Sequence, residues 1–210
     1  MLERIPVDVL IVGDDKTPGS DPVWDQLKST ARAQRVQIQT VRRGANWKFD
    51  AATLHFHGPR FQMQPEDNSN SVAFTLEYHG KHALFLGDTP GEIEKEMHPG
   101  PLDVLKVAHH GSRFSTSENL LDQTHPKAAI ISSGTSNTYG HPSQTVLERL
   151  RAHRIPIYRT DRDGAITYNL ETGSIQVEAH NPHVGEPGTP GRRPGWKPQL
   201  KTDSSTAKRN

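Results

Sequence analysis

Apolar runs that stop at glycine or an acid, separated by stretches with helical spacing, divide most of the chain into alternating strands and helices. Residues 7–13 (VDVLIVG) form a short apolar run ending in Gly13 before Asp14, the pattern of a buried strand. A helix is expected over residues 22–34, where Asp21 can cap the first turn and Pro22 takes the first helical position. Residues 36–41 (VQIQTV) alternate with period two. Residues 54–57, 71–79 (SVAFTLEYH) and 83–87 (ALFLG) read as further strands, the last two joined by His-Gly-Lys as a hairpin, which predicts an antiparallel meander. A strand at 103–108 (DVLKVA), a short helix at 117–123, a buried strand at 127–132 (KAAIIS) and a helix at 143–153 follow. Residues 156–160, 165–169 and 174–179 close the pattern as strands. Strands with interspersed helices predict a layered α/β domain.

Composition divides the 210 residues unequally. Residues 182–210 hold five prolines, four glycines and almost no aliphatic side chains, too little apolar surface to offset ordering entropy, so a disordered tail is expected after a domain at 1–181. The tail carries six basic and two acidic residues, leaving the body with 19 basic and 22 acidic. Charge therefore gives the body no nucleic-acid signature, and the tail is either a phosphate-attracting arm or a solubilising extension. The absence of cysteine excludes disulfides, a thiol nucleophile and thiolate metal sites. Histidine, of which there are twelve, together with Asp, Glu and Asn, is left to bind metal. No apolar run approaches the ~18 residues of a membrane span, and no secretory signal opens the chain. Alone, the chain is expected to stay in the cytoplasm without inserting into a membrane.

Polar, ligand-type residues sit where apolar strands stop. FLGD ends at Asp88, KVAHHGS carries His109 and His110, IISSGTSNTYGH leads through Asn137 and Tyr139 to His141, and YRTDRDG carries Asp161 and Asp163. Strand ends projecting Asp and His into loops are how α/β scaffolds build hydrolytic and metal sites. Taken singly, each has a plainer reading: Asp after Gly forms turns, and Asp161 and Asp163 suit a loop held by Asx turns. HHGS is the stronger signal. Two histidines directly after a strand place one imidazole on each side of the chain, one facing a cleft and the other packing or donating behind it; a capped loop is the structural alternative. Arg113 beside HHGS can meet a phosphate or simply be a surface arginine. Tyr139 and the arginines of residues 159–162 are the only aromatic and basic features suited to nucleic acid.

The ordered series DNSNSVAFTLEY, ALFLGD, LDVLKVAHHGSRFSTSENLL, PKAAIISSG, NTYGHPSQTVLERL and IYRTDRDGAITY resembles the metallo-β-lactamase-fold domain of ComEC-type competence proteins, the bacterial DNA-internalisation channel family. The likeness runs over residues 7–179 and is most specific over residues 103–168. It implies a four-layer αββα sandwich with a dinuclear site, manganese or zinc, between the two sheets. By this resemblance Asp88 bridges the metals, and His110, or after it His109, is the last ligand. His141 joins Asp88 and His110 as a catalytic candidate through YGHP. Asn68 and Asn70 fall in an Asn-Asn-Ser-like stretch where relatives carry another ligand loop, or are turn formers. Asp161, Asp163, Tyr139 and Arg113 are assigned to substrate orientation or support.

One expected motif is missing. The family's His-x-Asp-x-Asp-His-x-Gly-Gly, or His-x-His-x-Asp-His, belongs ahead of residue 7 and is absent, so the sandwich is read as N-terminally truncated. The single His-x-His, His55 and His57, lacks the following Asp-His and lies in a strand, where alternation puts both rings on one face as a solvated pair. Asp88 and one histidine give too few donors for a stable metal. Three functions stay open: metal-dependent phosphodiester hydrolysis of incoming DNA, a non-catalytic remnant with a binding or assembly role, and hydrolysis of a small ester or amide. Expected partners are DNA and either a membrane channel or the missing N-terminal half-domain; in a competence channel the chain would be membrane-associated or extracytoplasmic.

Overall fold

A computed structural model describes residues 5–13, 21–60 and 67–178. Strand β1 (Val9–Val12) pairs in parallel with β2 (Gln37–Thr40), and α1 (Pro22–Ala33) makes the crossover between them. Asp21 caps that helix as expected, its Oδ1 accepting from Val23 N at 2.9 Å and Trp24 N at 3.2 Å.

Seven further strands form one mixed sheet in sequence order: β3 (Asn46–Phe49), β4 (Ala52–Phe56), β5 (Phe74–Tyr78), β6 (Lys81–Phe85), β7 (Val104–Lys106), β8 (Ala129–Ile131) and β9 (Ile157–Arg159). The first four make the antiparallel meander; β6 to β9 run parallel. Their crossovers carry α2 (Gly91–Glu94), α3 (Glu118–Thr124) and α4 (Gln144–Ala152). Ser117 and Ser143 cap α3 and α4 by accepting from Leu120 N and Val146 N. After β9 come α5 (Thr160–Asp163) and the antiparallel hairpin of β10 (Ala165–Tyr168) and β11 (Ile175–Glu178).

Alternation along the strands separates two apolar layers. Leu84, Leu86, Leu105, Val107, Ala129 and Ile131 face the helices and pack on Leu120, Leu121, Val146, Leu147 and Leu150 in the main core. On the opposite face Ala83, Val104 and Ala128 are covered by Tyr168, Leu170 and Ile175 of the closing hairpin and its loop. An aromatic row continues that face across the meander: Trp47 to Phe56 at 5.7 Å, Phe56 to Phe74 at 5.9 Å, and Phe74 stacked on Phe85 at 5.0 Å. Phe85 is 36% exposed at the end of the row.

Two elements depart from the sequence reading, and one reading lies outside the described residues. β3 was not expected, because NWKF is short; its Trp and Phe join the aromatic row once β4 pairs with it. The residues of TDRDG form the short helix α5 rather than a loop. The expected disordered tail lies outside the described residues, as does the end of the domain assigned to 1–181.

Candidate functional site

Because β6, β7 and β8 are parallel neighbours, their carboxyl ends finish at one edge of the sheet, and the loops that follow are tied together there. His109 N donates to Gly87 O at 2.9 Å, joining HHGS to the turn that carries Asp88. Ser143 N donates to Gly111 O at 2.9 Å, joining HHGS to YGHP. A Cβ on Gly111, whose φ is +87°, would lie 2.5 Å from the Pro142 Cβ, so this close approach requires glycine.

The histidines do not alternate as strand residues. His109 and His110 both take left-handed backbone conformations, φ 47° and 55°, which turn the chain and place their ring centroids 6.5 Å apart. His141 closes the group at 5.8 Å from His109. His110 Nδ1 lies 2.7 Å from Ser132 O; a carbonyl only accepts, so Nδ1 carries a proton, and in the neutral ring Nε2 keeps its lone pair. His141 is held by a reciprocal pair, its N–H donating to Asn137 Oδ1 at 2.9 Å and its carbonyl accepting from Asn137 Nδ2 at 2.7 Å. Its Nδ1 is buried with no hydrogen-bond partner. Desolvation, reinforced by His109 and His110, holds the His141 pKa below the ordinary value, so this ring is neutral near pH 7.

Asp88 is half-buried, and its N–H donates to Ser71 Oγ at 3.2 Å. Ser71 Oγ in turn donates to Asn68 O at 2.8 Å, so the Asn68 backbone supports the Asp88 turn while Asn68 itself is exposed. Asn70 ends the same 3₁₀ turn, Asp67–Asn70, with its carbonyl against Gly13. Tyr139 is 83% exposed and lies parallel to the His141 ring at 6.1 Å. Arg113 is exposed, its guanidinium 4.7 Å from the centre of the Phe114 ring.

Asp161 and Asp163 are engaged in shaping the chain. Asp161 accepts from Arg159 at 3.0 and 2.5 Å, and that guanidinium holds its carboxyl below the usual range. Asp163 Oδ2 accepts from Arg159 N at 2.7 Å. Thr160 between them accepts from Ser133 N and donates to Ser133 O, both at 2.9 Å, fastening this corner beside Ser132.

His55 and His57 share one face as expected, yet they are not a solvated pair. His55 is bracketed by Asn46 Oδ1 and Glu77 Oε2, each at 2.8 Å, and His57 Nε2 meets Thr75 Oγ1 at 2.7 Å. Burial, with His55 and Arg43 adding to it, lowers the His57 pKa to about 4. Both rings are occupied within the sheet.

Sequence reasoning overlooked Glu94. Its buried carboxylate accepts from Thr116 N and Ser117 N, each at 2.7 Å, and Arg149 reaches the carbonyls of Ser115 and Thr116 at 3.0 and 2.6 Å. Together they brace the segment behind HHGS. In the acidic string GEIEKE nothing distinguishes Glu94 from its exposed neighbours.

The site thus offers one carboxylate and three imidazoles. Among the described residues, no three His, Asp or Glu side chains converge closely enough to hold a metal ion. These residues do not by themselves fit a metal centre.

The profile of the Metallo-beta-lactamase superfamily matches residues 1–135. The chain belongs to this superfamily. Similar proteins are ComEC-type competence proteins. ComE operon protein 3 of Bacillus subtilis is 38% identical over 156 residues, 72% of this chain and 20% of that protein. Competence protein ComA of Neisseria gonorrhoeae is 33% identical over 137 residues, 63% and 20% of the two chains. Recombination protein 2 of Haemophilus influenzae is 31% identical over 137 residues, 64% and 17%. The chain spans about a fifth of the length of these relatives. Among solved structures, one from Parabacteroides distasonis superposes with a TM-score of 0.45 at 11% identity, covering 75% of this chain and 78% of that one, too distant to carry any argument.

Proposed function

We propose that this chain is the histidine-bearing part of a ComEC-type hydrolase domain that acts, with a divalent metal such as manganese or zinc, on phosphodiester bonds of DNA during uptake. The observation that supports the reading is that the loops carrying Asp88, His109, His110 and His141 are joined at the carboxyl ends of three adjacent strands. A neutral His141 ring with an unsatisfied buried nitrogen, and a His110 whose Nε2 is left to accept, suit a site that meets a ligand. Tyr139, exposed over His141, is positioned to stack on a base, and Arg113 to meet a phosphate.

The remaining donors come from a segment that carries the His-x-Asp-x-Asp-His-x-Gly-Gly motif. One observation favours a second reading, a non-catalytic remnant that binds without cleaving: the donor set here stops short of a metal centre. A direct test separates them. Fused to a segment carrying His-x-Asp-x-Asp-His-x-Gly-Gly, the chain is expected to gain manganese-dependent cleavage of linear DNA, lost in Asp88→Ala and His110→Ala. A correctly folded fusion that binds metal but leaves DNA intact would establish the remnant instead.

A further inference from the structure

Lys106 is the one cation in the apolar strand β7, in register with Phe85 on β6 and Ile130 on β8. These neighbours lead within three residues to Asp88 and Ser132, so the Lys106 side chain lies beside the ends of the strands that carry the site. There it lines a cavity of about 400 Å³ with Leu76, Phe85, Ser132, Thr160 and Tyr168. The wall is apolar apart from this ammonium and the hydroxyls of Ser132, Thr160 and Tyr168.

Among the described residues the ammonium is poorly matched. It has three protons to donate, and its hydrogen bond goes to the neighbouring Val107 O at 3.1 Å. Among the described residues no carboxylate comes within 4.0 Å of it. Burial works against its charge, and the field of Asp88 opposes that penalty only from a distance. A half-buried cation in the wall of an open cavity, with donors to spare, is stabilised by an anion that enters from outside.

We propose that Lys106 anchors a non-bridging phosphate oxygen of the DNA strand, setting the phosphodiester beside Asp88 and the histidines. This assignment rests on the hydrolase reading above and adds to it a substrate-positioning cation from within KVAHHGS that is not among the candidate site residues. It makes no use of a metal, so it is testable on the 210-residue chain in the presence of EDTA.

The experiment is titration of the chain with a short single-stranded oligonucleotide at several salt concentrations. Lys106→Met, which keeps the apolar stem, is expected to weaken binding about tenfold, the value of one charge-assisted hydrogen bond. It should also reduce the steepness of log K against log[salt] by about 0.7, one phosphate contact on a single strand. Lys106→Arg should restore both. A merely structural role for Lys106 would alter melting and not the salt slope. Unchanged slope in a folded Lys106→Met, or no binding by the parent chain, overturns the proposal. Cleavage by the fusion tests the hydrolase reading independently: a fusion that fails to cleave while the Lys106 slope effect persists removes the hydrolase and keeps the anion anchor.

Discussion

His57 makes the stability of the sheet depend on pH in a direction that can be worked out beforehand. Its ring lies between strands with Nε2 on Thr75, and its pKa is about 4 against 6.5 when free. Between those values the unfolded chain binds a proton that the folded chain refuses, so stability is complete above the free value and is lost as pH falls toward 4. At about 1.4 kcal/mol per pH unit the whole contribution is about 3 kcal/mol, of which about 2 kcal/mol is gone by about pH 5. The assay is urea unfolding of the wild type and His57→Gln from about pH 8 to about pH 5, comparing the two slopes. The comparison matters because His153 works oppositely: its pKa is raised, first by its hydrogen bond to Arg149 O and then by Asp122 and Glu118, so its contribution fades as pH rises. His57→Gln should be less stable at high pH and converge on the wild type as pH falls. Parallel curves, with the same pH dependence in both proteins, would refute the reasoning.

Other consequences follow from the bracing of the site. Glu94→Ala strands two buried amides and should cost about 3–5 kcal/mol in urea unfolding, with Glu94→Gln, which keeps one acceptor, losing about half as much. Gly111→Ala should cost more than about 2 kcal/mol and shift the His109, His110 and His141 imidazole resonances together, because its Cβ pushes on Pro142 in a left-handed conformation. Ser71→Ala removes the acceptor for Asp88 N and should lower stability by about 1 kcal/mol while weakening cleavage by the fused, metal-loaded domain.

Much of this architecture was legible in the chain, and the exceptions are instructive. Strand-like runs such as VQIQTV and SVAFTLEYH, and the Asp21 cap ahead of Pro22, declare their elements locally, and the strands and helices stand within a few residues of where those signals put them. β3 is defined by its partner β4 rather than by its own four residues. At HHGS the strand rule failed because two successive left-handed residues reverse the chain, a conformation that hydrophobic periodicity does not encode. The ordered ligand-like residues at strand ends were visible as separate motifs; that their loops are joined depends on β6, β7 and β8 being adjacent and parallel, which is a property of the sheet. The acids of TDRDG looked equally available in sequence, yet Arg159 engages both. Lys106 did carry a signal, a lone cation inside an apolar strand, whose meaning emerges only with the cavity.

The central claim is that this chain supplies one side of a metallo-β-lactamase-type site and binds metal only when a segment carrying His-x-Asp-x-Asp-His-x-Gly-Gly supplies the other donors. The most direct measurement is the divalent metal content of the purified 210-residue chain, taken with its manganese-dependent cleavage of linear DNA. The account predicts metal far below stoichiometry and no cleavage. Near-stoichiometric metal with cleavage that disappears in both Asp88→Ala and His110→Ala would contradict it.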